Sequence, residues 1–442
     1  MITKFMCKVQ RFLWGIGLLL TSQVSFAQEQ NVRSLALQDL FELADQNNRQ
    51  LQILNDQQQI AKHAIKIEEQ KLLPSVDATL MFSYIGNGYI TDRDFSNGMS
   101  VDIPHFGNNF IVEAKQLLYA GGAVKTSIDM AKTNLLISEL ETETNRQILR
   151  FGISAYYLEL LKLKNQRLIL VKNIEQTNKL ITQIKSKNKE GVALKNNITR
   201  YELQKQSLEV NLLKLDNTVK IVNNDLVKIL QLPKETILEI QEIEMIEDLN
   251  DETFWKNEAQ ANASVLKKTG LQVAQALKGE QLVKSQRLPQ FFAFAGNYFN
   301  GPVMIEIPVL NNNFNYWNVG VGVKYDVSTL FKNEEKEKQA SILIQNAKQN
   351  ELIVKEQLDH EIETAKIRFE ETKDIYQTHL KGVELSTQNY TVIRNRYLND
   401  MALTTEMLDA ENTKLDAELQ AANSQINILF QYYQLKKLTG TL

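Results

Sequence analysis

All six prolines of this 442-residue chain fall at positions 74, 104, 233, 289, 302 and 308, leaving two long proline-free tracts, 105–232 and 309–442. Proline inside a helix removes a hydrogen bond and clashes with the preceding turn, so its exclusion from segments rich in Leu, Gln, Lys and Glu predicts helix. Two stretches, about 123–189 and about 333–399, would each form a rod roughly 100 Å long at about 1.5 Å per residue. A single globular core has no use for such rods.

The chain also repeats itself. GVALKNNITRYEL begins at Gly191 and DMALTTEMLDAEN at Asp400, 209 positions later, and the two share Ala-Leu, an apolar residue at Ile198 and Met407, and a glutamate at Glu202 and Glu411. Beyond Gly191 the apolar residues advance by alternating steps of four and three, Leu194, Ile198, Tyr201, then Leu208, Leu212, Leu215, Val219, Val222, Leu226 and Ile229, with Lys205 as the one break. That is the spacing of a coiled-coil seam. The second copy keeps it through Leu403, Met407, Ala410, Ala417, Ala421, Ser424 and Ile428, with Lys414 at the matching break. A duplicated helical hairpin accounts for both, and the paired lysines are read as register-setting polar positions, with side chains pointing into a water-filled tunnel as the alternative.

Between the rods the period changes to two. Trp317, Val319, Val321, Val323 and Tyr325 alternate with Asn318, Gly320, Gly322 and Lys324. An apolar face bounded by aromatics, opposite a small or polar face, is the pattern of a lipid-facing barrel strand. Val76, Ala78, Leu80, Phe82 and Tyr84 repeat it, as do Phe110, Val112, Ala114 and Leu118, whereas QFFAFAGNYF at 290–299 is apolar on both faces. Alternation in one strand also suits a soluble sheet capping a helical bundle. Export favours the membrane reading: residues 1–27 carry Lys4, Lys8 and Arg11, then the apolar run FLWGIGLLL, then small residues at Ser25 and Ala27, a signal peptide.

Losing those three cations takes the formal net charge from −3 to −6, and leaves no basic tail for nucleic acid. The only cysteine, Cys7, departs with the signal, so neither disulfide nor thiol chemistry is expected. His63, His105, His360 and His379 stand far apart, and no phosphate loop, nucleophile elbow or HExxH occurs, so no metal, cofactor or enzymatic activity is expected. After the signal no apolar run is long enough to cross a bilayer as a helix. Membrane insertion would have to use strands, and four of them cannot close a barrel alone. Three protomers sharing a twelve-stranded barrel are the simplest closure.

The expected fold is therefore mostly α with a small β part, built from a duplicated helix-strand-loop-strand-long helix-turn-helix unit. The first repeat spans 28–232, with strands at about 75–86 and 108–119 and a hairpin tip at about 190–194; a linking, equatorial segment spans 233–262. The second repeat spans 263–442, with strands at about 290–299 and 313–327 and a tip at about 399–403.

LALQDLFELADQNNRQLQ at 35–52, KLLPSVDATLMFSY and SQRLPQFFAFAGNYF at the strand entries, and LLYAGG at 117–122 together resemble the TolC family of outer-membrane export channels; the second exit, STLFKNEEKEKQA, lacks the paired glycines. The resemblance implies a homotrimer with a transmembrane β-barrel in the outer membrane and an α-helical coiled-coil tunnel extending into the periplasm. It would act as the passive exit duct of a tripartite efflux or type I secretion system, loaded by a periplasmic adaptor and an inner-membrane transporter of RND or ABC type. It further implies that Glu406 and Asp409 line a periplasmic aperture, that Asn197 accepts a hydrogen bond from Tyr397 to help close it, and that the family's gate arginine is replaced by Ala402. Gly191, Val192, Ala193 and Leu194 and, in the second copy, Asp400, Met401, Ala402 and Leu403 would face the adaptor. Trp317, Val319, Val321, Val323 and Tyr325 would face lipid. The alternative is a periplasmic adaptor, which also carries a long α-hairpin but only one, and a coiled-coil spacer would leave the strands unexplained.

Overall fold

The computed structural model describes residues 32–244, 246, 248–249 and 251–442. The expected signal and Cys7 lie outside the described residues. In chain order the elements are β1 (Val32–Leu35), α1 (Leu37–Asn47), α2 (Arg49–Gln70), β2 (Ser75–Tyr84), β3 (Gly88–Ile90), β4 (Met99–Val101), β5 (Phe106–Ala120), α3 (Ala123–Lys189) and α4 (Lys195–Ile229). There follow β6 (Ile237–Ile240), α5 (Glu252–Asn262), α6 (Ser264–Ser285), β7 (Gln290–Gly301), β8 (Phe314–Lys324), α7 (Thr329–Lys332), α8 (Glu334–Leu398) and α9 (Thr404–Thr439). Among the described residues no helix is long and apolar enough to cross a membrane.

The chain divides into two packed units, the first holding residues up to Ala44 and Tyr156–Glu244, the second Asp45–Ala155 and Met245–Leu442. In the first, α3 and α4 are tied by ion pairs from Arg167 to Asp216 at 2.9 Å and from Lys185 to Glu202 at 2.8 Å. Tyr201, Leu208, Leu215 and Val222 are buried at steps of seven along α4. A parallel ribbon joins β1 to β6, Val32 opposite Ile237 and Leu35 opposite Ile240. Asn223 pins it from the buried side: its amide donates to the Thr236 carbonyl at 2.9 Å and its oxygen accepts from Leu238 N–H at 2.9 Å. The stretch 35–52, which resembles the opening helix of the TolC family, is divided here: Leu35 ends β1, and Asn48 separates α1 from α2, capping α2 by accepting from the N–H groups of Gln50 and Leu51.

The second unit carries a four-stranded antiparallel sheet in the order β2-β5-β7-β8. Its two outer strands, β2 and β8, are edges, each with one row of backbone groups facing no other strand among the described residues. Helices α8 and α9 pack along each other, and α6 packs on α8. A core around Trp255, Ala259, Leu358, Ile362, Ala365 and Leu435 joins α5, α8 and α9. The chain leaves β5 through Gly121 and Gly122, with φ of +61° and +84°. Leaving β8 it makes the short helix α7 instead: Asp326 accepts from both the N–H and the hydroxyl of Ser328 at 3.0 and 2.7 Å, starting a turn that needs no left-handed residue.

Candidate functional site

Strand register sorts the sheet residues into two faces, because side chains alternate along each strand. Val76 lies beside Ala114, Ala114 beside Ala295 and Ala295 beside Val319, so one apolar row crosses all four strands. Rings flank that band at both ends of the same face. Phe82, Phe110 and Phe299 form a chain of ring contacts with centroids 5.3 and 5.7 Å apart, and Tyr119 meets Phe291 at 6.1 Å. Trp317, Val319, Val321 and Val323 stand 61–79% exposed. Tyr325 lies one residue beyond β8, which ends at Lys324. An apolar band between two aromatic girdles is what hydrocarbon and its two interfaces accept.

The opposite face explains why 290–299 reads as apolar on both sides. Phe292 and Phe294 lean across β8 into the spaces left by Gly322 and Gly320, where an added Cβ would come 2.5 and 2.8 Å from the rings. Aromatic cover of a glycine keeps a strand packed where a side chain is missing. The same face carries Asp77 directly opposite Glu113, and Ser75 opposite Lys115. Tyr298 donates to Glu113 Oε1 at 2.7 Å, and Lys115 Nζ stands 4.3 Å from the Phe292 ring centroid.

The two hairpin tips have one local geometry. At the first, Gly191 N–H bonds the Asn188 carbonyl at 3.0 Å and Val192 N–H bonds that of Lys187 at 2.9 Å; at the second, Asp400 bonds Tyr397 at 3.1 Å and Met401 bonds Arg396 at 2.8 Å. Gly191 and Asp400 both take left-handed φ, +81° and +61°. This double closure ends a helix by satisfying its last carbonyls. The next helix starts alike in both, from Leu194 and Leu403, each with φ of −78°. Val192, Leu194, Met401 and Leu403 are exposed, while Ala193 and Ala402 are half-buried.

Glu406 and Asp409 are exposed on one face of α9. Glu406 has a structural duty as well, since its carboxylate accepts from Leu403 N–H at 2.7 Å and so completes the helix start. The Tyr397 hydroxyl lies 3.3 Å from Thr404 Oγ1, across its own turn, and Arg396 Nη2 donates to the Met401 carbonyl at 3.1 Å. Asn197 belongs to the first unit, half-buried in the first turn of α4, its N–H bonded to the Leu194 carbonyl at 3.0 Å.

The two seam lysines differ. Lys205 keeps its side chain 34% exposed beside Glu209, whereas Lys414 is buried in the second hairpin, 3.5 Å from Glu418 and with Nζ 4.7 Å from the centre of the Tyr390 ring. Burial, then the nearby Glu411 carboxylate, holds the Tyr390 phenol above its ordinary pKa, with Arg394 opposing. The neutral phenol is thus favoured in the fold, and the stability this contributes is complete below a pH of about 10 and is lost as pH rises through the raised folded value. Tyr390→Phe keeps the ring under Lys414 and removes the ionisation. Melting temperatures followed from pH 9 to 11.5 are expected to fall less steeply in the variant than in the parent.

Three features escaped the sequence reading: the β1–β6 ribbon, the β3–β4 ribbon in the loop between β2 and β5, and the glycine-covering role of Phe292 and Phe294. The ribbons are too short to show a period. For the third, the signal was present in the pairing of an FxF on one strand with a GxG on its neighbour.

Residues 40–230 match the sequence profile of the outer membrane efflux protein family. In fold, the outer membrane protein VceC of Vibrio cholerae is similar with a TM-score of 0.75 at 14% identity, over 91% of this chain and 96% of that one. The CmeC outer membrane channel of Campylobacter jejuni is similar at 0.68 and 15%, over 92% and 85%. The open state of the MtrE outer membrane channel of Neisseria gonorrhoeae follows at 0.67 and 15%, over 91% and 88%. Comparison with curated proteins gives no match. Residues 40–230 thus carry the sequence profile of the outer membrane efflux protein family, and the fold of such channels extends over nine-tenths of the chain.

Proposed function

We propose that this protein is one protomer of a passive trimeric exit duct that crosses the outer membrane and extends into the periplasm. The observation that carries the reading is a four-stranded sheet with a banded apolar face and two open edges. In hydrocarbon an open edge leaves backbone groups unpaired at a cost of several kcal/mol each, roughly, so such a sheet is stable there only when closed. Pairing β8 of one copy with β2 of the next, three times, closes twelve strands without an edge. The long helices then supply the periplasmic conduit, and its energy comes from an inner-membrane transporter coupled through a periplasmic adaptor, with efflux and type I secretion as the candidate settings.

Within that duct the tips at Gly191–Leu194 and Asp400–Leu403 are read as the adaptor-facing bends. Glu406 and Asp409 are read as the acids of the periplasmic aperture. A lone adaptor protein remains the weaker reading, because it leaves the apolar sheet face without a purpose. The test is to locate the protein by membrane fractionation and to reconstitute it in planar bilayers. Outer-membrane material that runs as a trimer and conducts supports the duct; a soluble monomer without conductance overturns it.

A further inference from the structure

The sheet face opposite the apolar band is not uniformly polar, as the wall of a water-filled lumen ordinarily is. Its β2 and β5 half carries Ser75, Asp77, Thr79, Asn109, Glu113 and Lys115. Its β7 and β8 half is rich in aromatic rings, with Asn300, Asn318 and Lys324 among them. Phe292 and Phe294 stand with centroids 6.1 Å apart, Tyr298 stacks on Tyr316 at 4.9 Å and 14°, and Phe314 follows Tyr316 at 5.4 Å. Register puts these five rings on one face, since Tyr298 lies opposite Tyr316 and Asn300 opposite Phe314, while Phe292 and Phe294 cover glycines on that same side. Covering Gly320 and Gly322 accounts for two of the rings. Tyr298 likewise lies over Gly296, where an added Cβ would come 2.7 Å from its ring, whereas Tyr316 and Phe314 face strand partners, Tyr298 and Asn300, that already have side chains.

We propose that this aromatic half is a binding sector for flat aromatic molecules bearing a positive charge, taken up from the lumen. Two observations set the chemistry. Lys115 already places its ammonium 4.3 Å from the Phe292 centroid, so at least one ring presents its negative face to a cation in this setting. Beside the rings, Asp77 and Glu113 sit directly opposite each other in the register, two carboxylates in one row, with Lys115 in the next row and Lys324 at the far end of β8 on the same face. A cationic planar solute gains ring stacking from β7 and β8 and charge attraction from β2 and β5, which neither a neutral apolar solute nor a small hydrated cation gains together. Tyr298 joins the halves, its ring in the stack and its hydroxyl on Glu113 at 2.7 Å.

This inference rests on the duct reading, because only a closed barrel makes this face a lumen wall. The experiment uses the full protein reconstituted in planar bilayers, with ethidium as the planar aromatic cation and tetraethylammonium as a cation without rings. Block is expressed relative to each variant's own open-channel current. Ethidium is expected to block at a concentration about tenfold below tetraethylammonium, and Phe294→Leu, which keeps an apolar cover over Gly320, is expected to lose most of that difference. Glu113→Gln, whose amide oxygen still accepts from Tyr298, serves as the second variant and is expected to weaken ethidium more than tetraethylammonium. The same measurements in a Glu406→Gln, Asp409→Asn background separate this sector from the periplasmic acids, and the ethidium preference should survive there. A conducting channel in which both cations block alike, or in which neither Phe294→Leu nor Glu113→Gln changes their ratio, overturns the aromatic sector and leaves the duct standing. Protein that never conducts overturns both.

Discussion

A channel carrying Glu406→Gln together with Asp409→Asn should lose most of its cation preference, with the permeability ratio for potassium over chloride falling about fivefold and block by divalent cations weakening about tenfold. Three copies of the pair would place six carboxylates around one opening, where confinement and low dielectric make each charge count for more than it would in bulk water. The choice of amides follows from the structure. Glu406 accepts from Leu403 N–H at 2.7 Å, so alanine would remove a helix-start contact worth roughly 1 kcal/mol and confound gating with tip stability. Glutamine keeps an acceptor in the same place. Single-channel recording in salt gradients reads the ratio directly, and unchanged selectivity in the double variant would take these two residues out of the aperture.

The second large effect is expected at the exit of β5. Gly121 has φ of +61°, and a Cβ there would lie 2.7 Å from the Ser285 carbonyl oxygen and 2.8 Å from the Leu288 Cβ. Valine meets two penalties at once, a left-handed backbone that β-branched residues avoid and an overlap with main chain that cannot move aside. Together they should destabilise the fold by about 2–4 kcal/mol. Gly122 is the internal comparison, since it too is left-handed at φ +84° but faces open space. Gly122→Val should therefore cost only the backbone part, about 1–2 kcal/mol. Thermal melting of the two variants side by side checks the difference, and equal losses would mean that the contact with Ser285 yields easily.

Much of the architecture was legible because it is periodic. Steps of four and three from Leu194 to Ile229 and alternation from Trp317 to Tyr325 are local patterns, and the helices and strands they mark appear as α4 and β8. Asn48 shows where locality misleads: a stretch that resembles one opening helix is split by a side chain that satisfies the next helix's first N–H groups better than continuation would. Glu406 shows a second limit. From the sequence it is an acid in a suggestive place; only the fold adds that its carboxylate also starts α9.

Lys205 and Lys414 occupy matching positions in the two copies, and the chain alone gives no means of telling them apart. Their surroundings do, leaving one half-exposed on α4 and the other buried over Tyr390 between α8 and α9. The sequence by itself determined the class of element, the period of each seam, and a strand pattern suited to lipid, because these depend on neighbours a few residues apart. Tertiary structure alone decided that Phe292 and Phe294 fill the places of Gly322 and Gly320, that Asn223 holds the β1–β6 ribbon, and that one sheet face joins carboxylates to a row of rings. Those depend on strand register and long-range pairing, which bring together residues up to about two hundred positions apart that no local period connects.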